Sequence, residues 1–283
     1  MTSGFGGPDP AARRHFADDD VGPGWEVVGA TRSLERRLDV SLTGFRQTGS
    51  DRLEMRPRPL PAVTVGFQLG NDALTFDTVA EQQQMRSAVA GLGHLPTRIT
   101  GSGVECLELR MSPFTAFTLL GGALPELNGN LVGLVDMWGL SATHLAEQLA
   151  GRKSWTDRFA VVETALAGRL ESGPAPDPEV RGAWARILAG GGSTRVDHLA
   201  AEFGWSRKRL WARFTAQTGI TPKRAAMLVR FDAAARRLSA GKGPSEVAVA
   251  CGYADQAHLH RDVRDFAECT PRELVAAAPP SAS

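Results

Sequence analysis

The chain has 283 residues, with 32 Lys and Arg against 31 Asp and Glu for a net charge of +1. That length fits two domains, and the near-neutral balance excludes bulk electrostatic attraction to nucleic acid. No uncharged apolar run approaches the roughly 20 residues that a membrane span needs, and Cys106, Cys251 and Cys269 have neither metal-ligand spacing nor a disulfide pattern.

Residues 1–20 are rich in Gly, Pro, Asp and Arg without a hydrophobic signal segment. They are predicted to be a disordered tail, and the protein to be cytoplasmic and nucleoid-associated when DNA-bound. Short β-leaning runs follow at 25–30, 40–45, 62–69, 74–79 and 104–111, broken by Gly, Pro and Asp. Within the last run, ECLELRM alternates as a half-buried strand does. A small β-rich barrel or sandwich is therefore expected over 21–118. From 131 to 170 the pattern turns helical, with Leu140, Leu145, Leu149, Phe159, Val162, Leu166 and Leu170 at near-helical intervals and a break at 151–154. This predicts a helix pair within 119–171, buried against the β region or against a second subunit. Three prolines within 172–178 oppose helix and sheet and mark a linker. A helix over 180–188, with Trp184 and Ile187 inward, opens a C-terminal domain of 179–276; the Pro/Ala/Ser-rich 277–283 is expected to be a second tail.

Residues 195–271 are the most informative part of the chain. RVDHLAAEFGWSRKRLWARFTAQTGITP and PSEVAVACGYADQAHLHRDVRDFAECTP share one plan: a short apolar helix, a glycine turn, a polar-led second helix and a Thr-Pro exit. In the first, Val196, Leu199, Ala200 and Phe203 share a helical face, and Gly204 can take the left-handed conformation that ends that helix. Ser206 has the chemistry to cap a second helix with Leu210 and Phe214 inward. Its other face carries Arg207, Lys208, Trp211 and Arg213. Gly219 and Thr221-Pro222 close the unit. A linking helix over 222–240 places Ala226, Val229, Ala233 and Leu238 inward and Lys223, Arg224, Arg230, Arg236 and Arg237 mostly outward, until Gly241 and Gly243 stop it. The second unit offers Val247, Val249 and Ala250 for its supporting helix and Gly252 for the turn. A helix over 255–267 then has Leu259, Val263 and Phe266 inward and Gln256, His258, Arg261 and Arg264 free. One stripe packed and one stripe of donors is what a DNA recognition helix requires.

Charge is unevenly divided. Residues 193–275 hold 14 Lys and Arg against 9 Asp and Glu, a net of +5, whereas residues before 193 hold 18 against 22, a net of −4. A basic reader joined to an acidic partner region fits a regulator, although splits of this size are common.

The C-terminal hundred residues resemble the DNA-binding domain of the AraC/XylS family of transcription regulators, with CGYADQAHLHRDVRDF the most family-specific passage. The resemblance implies two helix-turn-helix units on a rigid linking helix, entering major-groove segments roughly 34 Å apart. Its base-facing positions fall on Lys208, Trp211 and Ala212, then on Gln256, Ala257, His258 and Arg261; Arg207, Arg213, Lys223 and Arg264 are expected on phosphates. It also implies a cupin-like effector or dimerisation domain ahead of the reader, so the fold class is α+β, with a β-rich N-terminal domain, a helical segment and an all-α tandem helix-turn-helix domain. The partners implied are double-stranded DNA, a small-molecule effector, RNA polymerase and a second copy of the chain. Two departures stand out. The family usually has Arg where this chain has Ala212, a difference worth about 1–3 kcal/mol of discrimination for a guanine contact. Glu268 occupies a place usually held by Gly, where positive φ strains a side chain.

Nothing in the sequence supports catalysis, a cofactor or a metal. His258 and His260, two apart on a helix, do not face each other. His94, Glu105 and Glu108 form no recognisable ligand set, and the glycines at 4–7 and 190–192 lack the strand, helix and Lys-Ser/Thr of a phosphate loop. Cys106 reads as a small packing residue in a strand rather than a sensing thiol. The alternative function is a small-molecule or thiol sensor or enzyme whose helix-turn-helix module serves as a tether. A further one is an adaptor that no longer binds DNA, prompted by Ala212.

Overall fold

The computed structural model describes residues 24–78, 81–93, 98–127 and 131–276. Both expected tails, and with them His94 and Val79, lie outside the described residues.

Among the described residues, ten short strands build two antiparallel sheets. The larger contains β1 (Trp25–Gly29), β2 (Val40–Gln47), β4 (Val63–Gln68), β7 (Ser87–Ala90), β9 (Glu105–Met111) and β10 (Leu131–Gly133), in the order β1-β2-β9-β4-β7-β10. The smaller runs β3-β8-β5-β6, from β3 (Leu53–Met55), β5 (Leu74–Asp77), β6 (Gln82–Met85) and β8 (Arg98–Gly101). Register explains why the larger sheet is the foundation. Leu42, Leu109, Val65 and Val89 face one another across four strands, each at most 1% exposed. Period-two alternation sends that apolar row toward the helices. The smaller sheet closes over a separate cluster of Leu74, Phe76, Ala88 and Val104. This is the β-rich N-terminal half expected from the runs of alternating residues.

Helix α1 (Arg32–Leu38) interrupts β1 and β2, and α2 (Pro113–Leu119) follows β9, capped by the Ser112 hydroxyl. After a 3-10 turn at Leu124–Leu127 come α3 (Leu134–Trp138), α4 (Leu140–Ala150) and α5 (Trp155–Ser172). The expected helix pair and its break at 151–154 are present, but 131–133 is a sheet strand rather than helix, and Leu140 is 75% exposed. Leu145, Leu149, Phe159, Val162 and Leu166 are buried within the chain. Helix α5 seats on the larger sheet because residue 44 is glycine: the Trp155 ring occupies the space a Cβ would take.

The remaining helices are α6 (Pro178–Ala189), α7 (Val196–Glu202), α8 (Arg207–Thr218), α9 (Pro222–Ser239), α10 (Pro244–Ala250), α11 (Gln256–Ala267) and α12 (Pro271–Ala276). Residues 173–177, with Pro174 and Pro176, form no helix or strand, whereas Ser172 ends α5 and Pro178 opens α6 at a position that favours proline. The segment 173–177 is nevertheless pinned. The Thr118 hydroxyl donates to the Pro174 carbonyl at 3.0 Å, and the Thr118 carbonyl fills the space beside Gly173. One buried cluster runs without interruption from Leu34 to Phe266. Phe114 of α2 meets Trp184 of α6 edge-on at 6.3 Å, and Trp184 meets Phe214 of α8 at 6.2 Å. The N-terminal half thus packs directly on the helical half.

Candidate nucleic-acid interface

Local chemistry sets both helix-turn-helix units. Gly204 (φ 65°) and Gly252 (φ 72°) make the left-handed turns between supporting and second helices. The Ser206 hydroxyl accepts the Arg209 N–H at 3.2 Å, and the Asp255 carboxylate accepts the His258 N–H at 2.6 Å. Each side chain thereby caps its helix. Leu210 and Phe214 in α8, and Leu259 and Val263 in α11, are fully buried. Glu268 does adopt positive φ (53°) as the C-cap of α11. On α10 the expectation that Val247, Val249 and Ala250 serve the supporting helix holds only for Val247. Val247 and Ala248 are buried, whereas Val249 is 81% exposed and Ala250 is exposed too. Residues two apart on a helix lie about 200° apart and cannot share a face.

Counted from the caps Ser206 and Asp255, the two second helices can be laid over each other. Positions 2, 5, 6 and 9 after the cap face away from the buried stripe. In α8 these are Lys208, Trp211 and Ala212, the ninth position, Thr215, having its hydroxyl buried; in α11 they are Ala257, the half-buried His260, Arg261 and Arg264. Lys208, Ala212, Ala257, Arg261 and Arg264 are exposed. Trp211 is 46% exposed, so it is not a core side chain. Gln256 is exposed and bonds to Ser245 at 3.0 Å and to His260 at 3.3 Å. Lys223 is exposed at the start of α9.

The seventh position after each cap is charged and turned back into the protein, with opposite signs in the two units. In α8 it is Arg213, whose Nε and Nη2 donate to the two carboxylate oxygens of Asp177 at 2.6 and 2.7 Å. That hydrogen bond lowers the Asp177 pKa below the usual carboxylate range and raises the Arg213 pKa. The Asp177 N–H also donates to Gln217 at 2.8 Å, so the segment before α6 clamps α8 twice. In α11 the seventh position is Asp262, 3% exposed, accepting from Arg230 of α9 at 2.9 Å. Burial is the largest influence on Arg230 and opposes its charge, but the hydrogen bond and charge of Asp262 together with Tyr253 outweigh it, leaving its pKa raised.

His258 belongs to this second network. Its Nε2 lies 3.5 Å from Arg230 and 4.0 Å from Asp262, and its ring meets Tyr253 edge-on. The sequence reading leaves His258 free for DNA and makes His260 an ordinary surface residue; in the structure both are half-buried, His258 beside Arg230, Asp262 and Tyr253 and His260 beside Gln256. Arg224 and Arg230, read as outward, are half-buried: Arg224 stacks on Phe266 at 3.8 Å, with burial lowering its pKa, and Arg230 stacks over Tyr253 at 4.6 Å. Periodicity counted from each cap finds His260, whereas no local signal finds the partners of Arg213 or Arg230.

The other candidate chemistry is accounted for by packing. Glu105 accepts from Arg46 and Arg158 rather than standing near a metal, and among the described residues no group of three His, Cys, Asp or Glu is arranged to hold one. Burial, with Glu108 beside it, pushes the Cys106 thiol up to about 12. It therefore stays protonated at neutral pH and is a poor nucleophile. Among the described residues no helix is long and apolar enough to cross a membrane.

Two capped second helices, each held by an ion pair and joined by one long helix, define a tandem helix-turn-helix module. Residues 199–277 match the family described as "Helix-turn-helix domain". The C-terminal region therefore contains a helix-turn-helix domain. No curated protein matches the chain as a relative. Among solved structures, ToxT from Vibrio cholerae is 12% identical, with 86% of this chain and 100% of that one covered and a TM-score of 0.48. An AraC-type transcriptional regulator from Chromobacterium violaceum is 26% identical over 35% of this chain and 90% of its own, at a TM-score of 0.33. The C-terminal domain of AraT, a response regulator from Geobacillus stearothermophilus, is 19% identical over 37% and 89%, at 0.35.

Proposed function

We propose that the protein is a sequence-specific transcription regulator that reads two adjacent major-groove segments of double-stranded DNA. The observation that carries this reading is the pair of outward stripes at matching positions of α8 and α11, two helices joined by one long helix. Helix α9 has 18 residues, about 27 Å at 1.5 Å per residue, the same order as the roughly 34 Å between successive major-groove segments. Lys208, Trp211 and Ala212 read the first segment; Gln256, Ala257, His260 and Arg261 read the second. Lys223 and Arg264 hold phosphates, as does Arg207 once its exposed pair with Asp197 opens. Arg213 and His258 position the helices instead of touching DNA.

The N-terminal region dimerises or binds a small effector and so changes how the two helices are presented. Its packing supports this role. The Leu124 carbonyl lies against Gly219 at the end of α8, Gly93 abuts Leu228 and Phe266, and Arg58 lies 3.8 Å from the buried Asp232 of α9.

The test is selection of bound fragments from a genomic library with the full-length protein at near-physiological salt. A bipartite motif with segments one helical turn apart is the expected result. Enrichment of nothing, or of fragments without a shared motif, refutes the function. With a selected duplex in hand, Lys223→Ala should weaken binding to all sequences alike and reduce the salt slope by about one.

A further inference from the structure

The outward stripes of α8 and α11 carry different chemistry, and the difference specifies what each can recognise. Position 6 after the cap is Arg261 in α11, a planar fork of donors suited to guanine O6 and N7. In α8 it is Ala212. The three arginines of α8 are all engaged within the protein: Arg207 pairs with Asp197 at 2.9 Å, Arg209 stacks over Trp205 at 4.4 Å, and Arg213 is held by both oxygens of Asp177. None of them stands on the outward stripe. That stripe presents the Trp211 ring, 46% exposed, with the Ala212 methyl beside it and Lys208 one turn back. An indole left half exposed gains when water is displaced from it. In the major groove the apolar group on offer is the C5-methyl of thymine.

We propose that α8 reads thymine through its methyl group, with Trp211 and Ala212 forming the apolar surface and Lys208 the adjoining cationic contact. This rests on the DNA-reading function proposed above and gives it a chemical asymmetry: apolar readout of one segment, hydrogen-bonded readout of the other. Trp211 is the specificity-determining residue of the first unit, and Arg213, withheld by Asp177, is a positioning residue.

The test begins with duplexes selected from a random-sequence library by the full-length protein. Repeating the selection with Arg261→Ala, which relaxes preference in the α11 segment, identifies the other segment as that of α8. The best duplex is then resynthesised with dU in place of dT in the α8 segment, which removes the methyl groups and nothing else. Each contacted methyl lost should weaken binding about fourfold, and Trp211→Ala should bind the dT and dU duplexes equally. Equal binding of dT and dU duplexes by the wild-type protein overturns the inference while leaving the DNA-reading function intact. So does a dT/dU difference that survives in Trp211→Ala, or a fall in that variant's melting temperature without loss of the difference, which assigns Trp211 to packing. If the wild-type protein enriches no duplex, the DNA-reading function fails and this inference fails with it.

Discussion

The two helix-turn-helix units share their punctuation and differ in what braces them. In the first, the charge at position 7 after the cap is a cation, Arg213, half-exposed and tied to Asp177 in the segment leading into α6. In the second it is an anion, Asp262, buried and tied to Arg230 on the linking helix. The second unit adds a Phe231–Phe266 stack at 5.1 Å and Arg224 over Phe266, so α11 and α9 form one block. The first unit leans on α6 and, through Phe114, Trp184 and Leu124, on the N-terminal half. One motif can thus be anchored in two ways, by an exposed clamp in the first unit and by a buried pair in the second. An exposed clamp can be exchanged for another contact at low cost, whereas a buried pair cannot.

The comparison can be broken most severely at Asp262. Asp262→Ala leaves Arg230 half-buried without its anion and should destabilise the fold by about 3–5 kcal/mol, read from denaturant or thermal unfolding. A loss below 1 kcal/mol would show that the pair is no stronger than a surface one. Next in size is Ala212→Arg. Giving α8 the fork that α11 already has should move selection in the first segment toward guanine by about 1–3 kcal/mol; unchanged selection would mean that position 6 of α8 does not face bases. Glu268→Gly should stabilise the protein by about 1 kcal/mol, because a glutamate at φ 53° is strained where glycine is not. A fall in melting temperature would refute that strain.

The smallest effect is expected at the first unit's clamp. Asp177→Asn should cost about 0.2–1 kcal/mol of stability. Because the folded pKa of Asp177 is lowered by Arg213, the clamp's contribution is present above the ordinary carboxylate pKa and lost as pH falls through the folded value. The difference in melting temperature between wild type and Asp177→Asn should therefore be flat from about pH 5 to 8 and close below about pH 4. A difference that vanishes already near pH 6 would assign it to another group.

The features legible in the sequence are those whose physics is local. Gly204, Ser206, Gly219, Thr221 and Pro222 act within a few residues of themselves, so the ends of α8 and α9 follow from residue type. Leu210, Phe214, Leu259 and Val263 follow from helical period. Strands β1, β2, β4, β5 and β9 fall in the β-leaning runs of the sequence, although β5 ends at Asp77 and not at 79, and β9 is the one read from its alternation. Strands β3, β6 and β8 fall outside those runs: LEM, QQQM and RITG have little pattern of their own and become strands by pairing with neighbours. Helix α1 has no such local signal either: the Thr31 hydroxyl meets the Ser33 hydroxyl at 3.4 Å and makes no capping bond to a backbone N–H.

Residue identity by itself determined the tandem plan, the caps and turns, the buried stripes and the substitution of Ala212 for a guanine-reading arginine. Only the tertiary structure decided which charges remain for a partner. Arg213 and Asp177 are 36 residues apart, Arg230 and Asp262 are 32 apart, and both pairs form because packing of α6, α8, α9 and α11 brings them within hydrogen-bonding distance. A long cationic side chain looks the same in a sequence whether it points to solvent, stacks on a ring or closes on a carboxylate. Its outcome depends on which surfaces the folded chain places beside it.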